Sequence, residues 1–263
     1  MTELQTLPDA PAPDTSGYAD VNGLHMYYET YGAGMPLVLL HGGMLSIRLN
    51  FANLIPALAK SHLVIGVEMQ GHGRTADIDR PITPAALAGD VVALLDHLGL
   101  DRADVLGHSF GGAVALELAV SHPERVRRVV PISISVRPEG MHIDLADPSR
   151  HATSPRMPTQ QDFAEFRDEY LRLSPHPEHF DEFLAALSHN ASDLKGWSDD
   201  QLASITAPVL LVLGDRDFTT VAHGEVMREL IPGSQLAVLP DTTHMQVTRR
   251  ADLLLPLLAA FLD

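Results

Sequence analysis

Cysteine is absent from the 263 residues, so no disulfide, thiolate nucleophile or thiolate metal ligand is available. That absence fits a cytoplasmic protein. Basic residues are also scarce: 18 Lys and Arg face 34 Asp and Glu, for a formal charge of −16. A nucleic-acid partner is excluded on this ground, because phosphate binding needs a basic surface. The same field disfavours strongly anionic substrates, although one arginine in a pocket would override it. Nowhere does the chain approach the apolar length that a membrane span needs. Its first residues, Met1 to Gly17, are polar, carry Pro8, Pro11 and Pro13, and lack the basic start and apolar run of a signal peptide. They are expected to form a flexible arm over residues 1–17. Aromatics are few at 5%, and the 45% apolar content, rich in Ala, Leu and Val, suits a globular α/β core.

Strand-length apolar runs alternate with helical patterns, the mark of a mainly parallel sheet covered on both faces. A hairpin is expected at Val21 to Tyr31, turning at Asn22-Gly23. Pro36–Leu40, Leu63–Val67, Arg102–Leu106, Arg128–Ile132, Val209–Leu213 and Leu236–Leu239 read as further strands. The helix over Pro84 to Leu98 is signposted by Thr83 as its cap, Pro84 in its first turn and Gly99 as its stop. A last helix spans Arg249 to Leu262, with Pro256 delaying its start or kinking it. Residues 136–205 lack strand character, but Phe163, Phe166 and Tyr170, then Phe180, Phe183, Leu184 and Leu187, recur at helical spacing. A third helix follows Ser198, which forms a capping box with Gln201. The core is thus 18–135 and 206–263, and 136–205 is a helical insertion expected to act as a lid over a site.

The densest chemical signal is Gly107-His108-Ser109-Phe110-Gly111, placed between the strand at Arg102–Leu106 and a helix over Gly112 to Ser121. A serine held between glycines at a strand-to-helix turn is a nucleophile elbow, which strains the backbone and lifts the hydroxyl clear of the sheet. Side chains at Gly107 or Gly111 would collide with the neighbouring strand and helix. A serine hydroxyl needs a base to take its proton, and the base needs a third group to fix its tautomer. In the chain order Ser, Asp, His, the candidates are Asp215 or Asp217 after the strand at Val209–Leu213, and His244 after the last strand. Charge developing on a carbonyl oxygen needs donors. Phe110 supplies one backbone N–H, and Leu40-His41-Gly42-Gly43-Met44 supplies the other, from Gly43 ahead of Met44. Met44, Phe110 and Met245 neighbour these atoms. Met44 and Met245 are expected to line an apolar substrate pocket.

His41-Gly42-Gly43, Gly71-His72-Gly73-Arg74-Thr75, Gly107-His108-Ser109-Phe110-Gly111-Gly112, Gly214-Asp215-Arg216-Asp217 and His244 together resemble the α/β-hydrolase superfamily. The resemblance implies a mostly parallel eight-stranded sheet flanked by helices, with an inserted helical lid. It also favours Asp217 over Asp215, because the acid in that family stands three residues after the glycine of Gly-x-x-Asp. Relatives commonly carry Asp where Glu68 stands, at a structural position. The expected site is therefore Ser109, Asp217 and His244, with Gly43 and Phe110 at the oxyanion, and no metal or organic cofactor. His41 and His72 are read as loop braces. His176 and His179 stand at a metal-compatible spacing, but Pro175 and Pro177 bracket the first and no carboxylate or thiol is expected to complete a set, so they are read as solvated surface.

The implied activity is hydrolysis of a carboxylic ester or lactone, a small-molecule substrate, by a serine hydrolase. Relatives with the same triad cleave amides or carbon–carbon bonds, carry out cofactor-free perhydrolysis, or cleave cyanohydrins, and the fold alone does not choose. Epoxide and haloalkane opening is disfavoured, since relatives with those activities place an aspartate where Ser109 stands. A reading from another class is a ligand receptor that keeps the triad with little turnover. Substrate identity and oligomeric state are not written in these motifs.

Overall fold

A computed structural model describes residues 11–192 and 196–263. Two strands open the fold, β1 (Thr15–Val21) and β2 (Leu24–Tyr31), joined at Asn22 and Gly23 with φ of 47° and 86°. Positive φ at both central residues is what a type I′ hairpin turn requires, and Asn-Gly supplies it at least cost. The first strand begins earlier than expected, taking Thr15 to Gly17 out of the arm; residues 1–10 lie outside the described residues. In β1 only Ala19 and Val21 are buried, which is why its periodicity is faint.

Next come β3 (Met35–Leu40), short helices α1 (Ile47–Phe51) and α2 (Ile55–Leu58), β4 (His62–Val67) and α3 (Pro84–His97). The elbow region follows as β5 (Ala103–His108) and α4 (Phe110–Ser121), then β6 (Val126–Ile132). The insertion carries α5 (Ile143–Ala146), α6 (Gln160–Leu173), α7 (Phe180–Ser192) and α8 (Asp199–Ala203), the last with the expected Ser198–Gln201 capping box. The chain closes with β7 (Leu210–Arg216), α9 (Val221–Leu230), β8 (Gln235–Thr243) and α10 (Ala251–Leu262). Thr83 caps α3 by accepting from the Ala86 N–H, and Gly99 follows it at φ 68°. The last helix starts late, at Ala251, and keeps Pro256 within it.

All eight strands form one sheet in the order β1-β2-β4-β3-β5-β6-β7-β8. Strand β2 is antiparallel to both its neighbours, β1 and β4, and every other pair is parallel. Alternation along each strand sorts the core into two layers. Val38 and Leu40, Val105, Val129 and Leu211 face the side of α3, α4 and α9. Leu37, Leu39, Leu106, Val130 and Val212 face the side of α1, α2 and α10. The parallel strands all end on one edge, and the loops at their C-terminal ends carry the polar residues singled out above.

One charged cluster braces the edge near β2 and β4. Glu68 accepts from the Arg74 backbone N–H at 2.6 Å and from its guanidinium at 2.9 Å, while Tyr27 and Tyr31 both donate to Glu29. Burial pushes the Glu68 carboxyl up to about 7, and Arg74 only partly offsets it. An acid raised in the folded state holds its proton longer there than in the unfolded chain. Stability tied to Glu68 is therefore greatest at acid pH and falls as pH rises from the ordinary glutamate range through about 7. Urea unfolding at pH 5 and pH 8 should show the wild type losing more stability over that rise than Glu68→Gln; equal losses would refute the assignment.

Candidate active site

Ser109 stands between β5 and α4 at φ 52° and ψ −117°, a region of backbone space that L-residues rarely occupy. The turn closes only because its neighbours lack side chains. A Cβ on Gly107 would lie 2.1 Å from the Gly111 carbonyl oxygen, and one on Gly111 would lie 2.1 Å from that of Leu40. Collision with helix backbone on one side and with β3 on the other is the conflict expected from the sequence. Both residues must be glycine.

His244, just beyond β8, brings Nε2 to 2.9 Å from Ser109 Oγ and Nδ1 to 2.7 Å from Asp217 Oδ1. Asp217 is 1% exposed. Its Oδ2 accepts from Ser133 Oγ at 2.5 Å and from the Gly214 N–H at 3.1 Å, and its Oδ1 accepts from the Phe218 N–H at 2.7 Å. Burial alone would raise its pKa, but the His244 contact and these donors hold it below the usual aspartate range. Asp215 does something else: its Oδ1 accepts from the Thr242 N–H at 2.9 Å and holds a turn. The Phe218 ring lies over the His244 imidazole at 4.0 Å between centroids, nearly parallel.

Several of these partners carry no sequence signature. Ser133, at the end of β6, takes φ 59° to aim its hydroxyl at Asp217. His108 is buried within the elbow, and burial, with His244 nearby, drives its pKa down to about 3. Its Nε2 lies 3.0 Å from the backbone oxygen of His244 and its Nδ1 lies 3.2 Å from Asn50 Oδ1, so the ring bridges the two. Asn50 in α1 accepts from the Gly42 N–H at 2.8 Å and donates to Thr248 Oγ1 at 2.9 Å. The elbow, the His41–Met44 loop and the His244 loop are thereby wired to one another.

A family model of the alpha/beta hydrolase fold matches residues 36–200. The chain belongs to that family. Among similar curated proteins, a soluble epoxide hydrolase of Corynebacterium sp. (strain C12) is 41% identical over 118 residues, 44% of this chain and 40% of the relative. A 2-hydroxymuconate semialdehyde hydrolase of Pseudomonas sp. (strain CF600) is 39% identical over 111 residues, 41% of this chain and 39% of the relative. The match thus spans about two fifths of the length of these relatives. Among solved structures, an enol-lactonase from Burkholderia xenovorans LB400 aligns with a TM-score of 0.75 at 26% identity, covering 93% of this chain and 99% of that one.

In this α/β hydrolase the His41–Met44 loop lies against the serine: a Cβ on Gly42 would come 3.4 Å from Ser109 Cβ. Met44 and Met245 pack beside Leu45, Leu49 and Phe166, the last from α6. His41 is a satisfied brace, with Nδ1 toward the Gly42 oxygen at 2.8 Å and Nε2 accepting from the Met69 N–H at 3.1 Å. Three arginines tie the insertion to the site's loops. Glu169 of α6 accepts from Arg48 at 2.9 and 3.0 Å and from Ser46 Oγ at 2.9 Å. Arg249, five residues past His244, pairs with Asp162 and Glu165 at 3.5 and 3.3 Å. Arg156 donates to the Asp217 backbone oxygen at 2.9 Å.

His176 and His179 are exposed, as expected, but Glu178 stands between them, and the three offer ligand atoms within 4.8 Å of one another. Each imidazole pairs with Glu178, at 3.5 and 3.8 Å, on the open surface. No helix among the described residues is long and apolar enough to cross a membrane.

The elbow makes a graded prediction. Gly107→Ala meets backbone at 2.1 Å and should cost more than about 3 kcal/mol, whereas Gly99→Ala, at φ 68° with open space around it, should cost about 1 kcal/mol. Urea unfolding of the two variants measures both; equal losses would contradict the packing described.

Proposed function

We propose that this α/β hydrolase cleaves a carboxylic ester or lactone through a serine-linked acyl-enzyme. The observation that carries the reading is the pair of hydrogen bonds from His244, 2.9 Å to Ser109 Oγ and 2.7 Å to Asp217 Oδ1. Asp217 fixes the tautomer with the proton on Nδ1, so that Nε2 presents its lone pair to the serine hydroxyl. Ser109 Oγ attacks the carbonyl carbon while His244 Nε2 takes its proton, and the C=O π pair moves onto oxygen. The backbone N–H groups of Phe110 and Gly43 receive that oxyanion. Collapse expels the alcohol oxygen, which takes the proton from His244. Water then attacks the acyl-enzyme with His244 again as base, releasing the acid and restoring Ser109. In a lactone the expelled alcohol stays tethered to the acyl group, and the product is a hydroxy acid.

Three further observations support the ester or lactone reading. The buried donors around Asp217 keep it ionised, as stabilising an imidazolium requires. The enol-lactonase likeness spans nearly the whole of both chains. Chemistry also weighs against the reaction named for the epoxide hydrolase relative. A serine opening an epoxide would form an ether, which has no carbonyl for water to attack. Carbon–carbon hydrolysis remains a second reading on the same residues, favoured by the likeness to the semialdehyde hydrolase. On either reading the insertion acts as a lid, with Phe166 beside Met44 and Met245 forming an apolar wall.

Ser109→Ala should lower kcat for a p-nitrophenyl ester by at least about a thousandfold and abolish labelling by a serine-reactive phosphonate. Retained turnover, or labelling at another residue, would overturn the assignment. Asp217→Asn should lower kcat by about 10⁴-fold with little change in KM, because the wrong imidazole tautomer then faces the serine. Steady-state kinetics on the same ester tests this, and a KM effect with intact kcat would contradict it.

A further inference from the structure

A narrow cleft is lined by Met44, Leu45, His72, Glu169, Tyr170 and Phe183. Met44 links it to the candidate site, since Met44 and Met245 pack on the same cluster of Leu45, Leu49 and Phe166. Nearly every polar group around it already has a partner. Glu169 accepts from Ser46, Arg48 and Arg172, and Tyr170 donates to the His176 oxygen at 3.4 Å. His72 is the exception. It is 1% exposed, and its Nε2 has no hydrogen-bond partner among the described residues.

The ring's protonation follows from its other nitrogen. His72 Nδ1 lies 2.9 Å from the Gln70 carbonyl oxygen, which can only accept, so Nδ1 carries the proton and Nε2 presents a lone pair. Burial keeps the imidazole neutral, with its pKa pulled down to about 4. The Phe183 ring of α7 meets it edge-on at 4.8 Å, and the His41 ring flanks it at the same distance. Neither supplies a donor: His41 spends Nδ1 on the Gly42 oxygen and Nε2 on the Met69 N–H. A buried acceptor without a partner is costly, and a ligand that brings a donor removes the cost. Seen from the sequence, His72 is a loop brace; its Nδ1 does brace, while its Nε2 is left over.

We propose that His72 Nε2 is a recognition point for the substrate, accepting a hydrogen bond from a hydroxyl or amide N–H on the acyl group. The inference rests on the ester or lactone reading and narrows its substrate class. The favoured substrate is neutral and carries a donor. A carboxylate at the same place is rejected, because it would set a second acceptor against the imidazole lone pair and a charge near Glu169. Met44, Leu45 and Phe183 contact the carbon that bears the donor.

The test uses paired p-nitrophenyl acyl esters that carry, at successive carbons of the chain, either a hydroxyl or a methyl group. For at least one pair, wild-type kcat/KM should favour the hydroxyl ester by about tenfold, the effect of one buried hydrogen bond. Whatever its absolute rates, His72→Phe should treat that pair alike within about twofold, and His72→Gln, which keeps an acceptor, should recover part of the preference. If wild type shows no preference in any pair, or His72→Phe keeps it, the inference is overturned. Nitrogen-15 spectra of Ser109→Ala provide a second readout that does not depend on folding of a His72 variant. The Nε2 resonance of His72 should shift with the hydroxyl ester and not with the methyl ester; identical responses would also overturn the proposal. Failure of the ester reading itself is separate, since it would appear as full turnover by Ser109→Ala on every ester.

Discussion

Between β5 and α4 the chain turns through a backbone conformation that few L-residues adopt, and close packing of two glycines against backbone oxygens holds it there. That packing decides where everything else must stand. Helix α4, buried along most of its length, cannot shift without driving backbone into β3, so the serine hydroxyl has one position relative to the sheet edge. The loops after β3, β7 and β8 then have a fixed point to converge on. Strain concentrated at one residue is sustained because the flanking strand and helix belong to the best-buried part of the core.

Convergence on Ser109 is enforced by polar groups that never meet it. Ser133 and the Gly214 N–H set the angle of Asp217, His108 holds the backbone at His244, and Asn50 couples the Gly42 loop to Thr248. Each is buried and hydrogen-bonded, so each adds orientation. A side chain held at both ends by hydrogen bonds loses little freedom when the reaction begins. Preorganisation of this kind is where such sites gain most of their rate.

Much of this was legible in the residues themselves. Apolar runs and the Asn22-Gly23 turn placed β2 to β8, and Ser109, Asp217 and His244 stood out as candidates because they follow strand-length apolar runs, the serine within glycines. The choice of Asp217 over Asp215 needed the family pattern, as their spacing differs by two residues and both follow the same strand. Ser133, Phe218, Asn50 and Thr248 were invisible for a physical reason. Each is a single residue with no period, and its partner is brought close only by the sheet order. The early start of β1 was hidden because just two of its side chains face the core. Glu178 between His176 and His179 shows the converse, since proximity in the chain was there to see but the turn that gathers the three was not.

The insertion leaves the sheet after β6 and returns at β7, two adjacent strands, so topology alone would let one such segment be exchanged for another. The arginine ties argue otherwise. Arg48, Arg156 and Arg249 each join the insertion to a different loop of the candidate site, and in two of the three the arginine belongs to the core. A foreign segment lacking acids at the places of Asp162, Glu165 and Glu169 would remove the carboxylates that Arg48 and Arg249 pair with and loosen the loops those pairs hold. The insertion and the loops beneath it therefore form one matched set of charges, and a transplanted segment would have to bring its own.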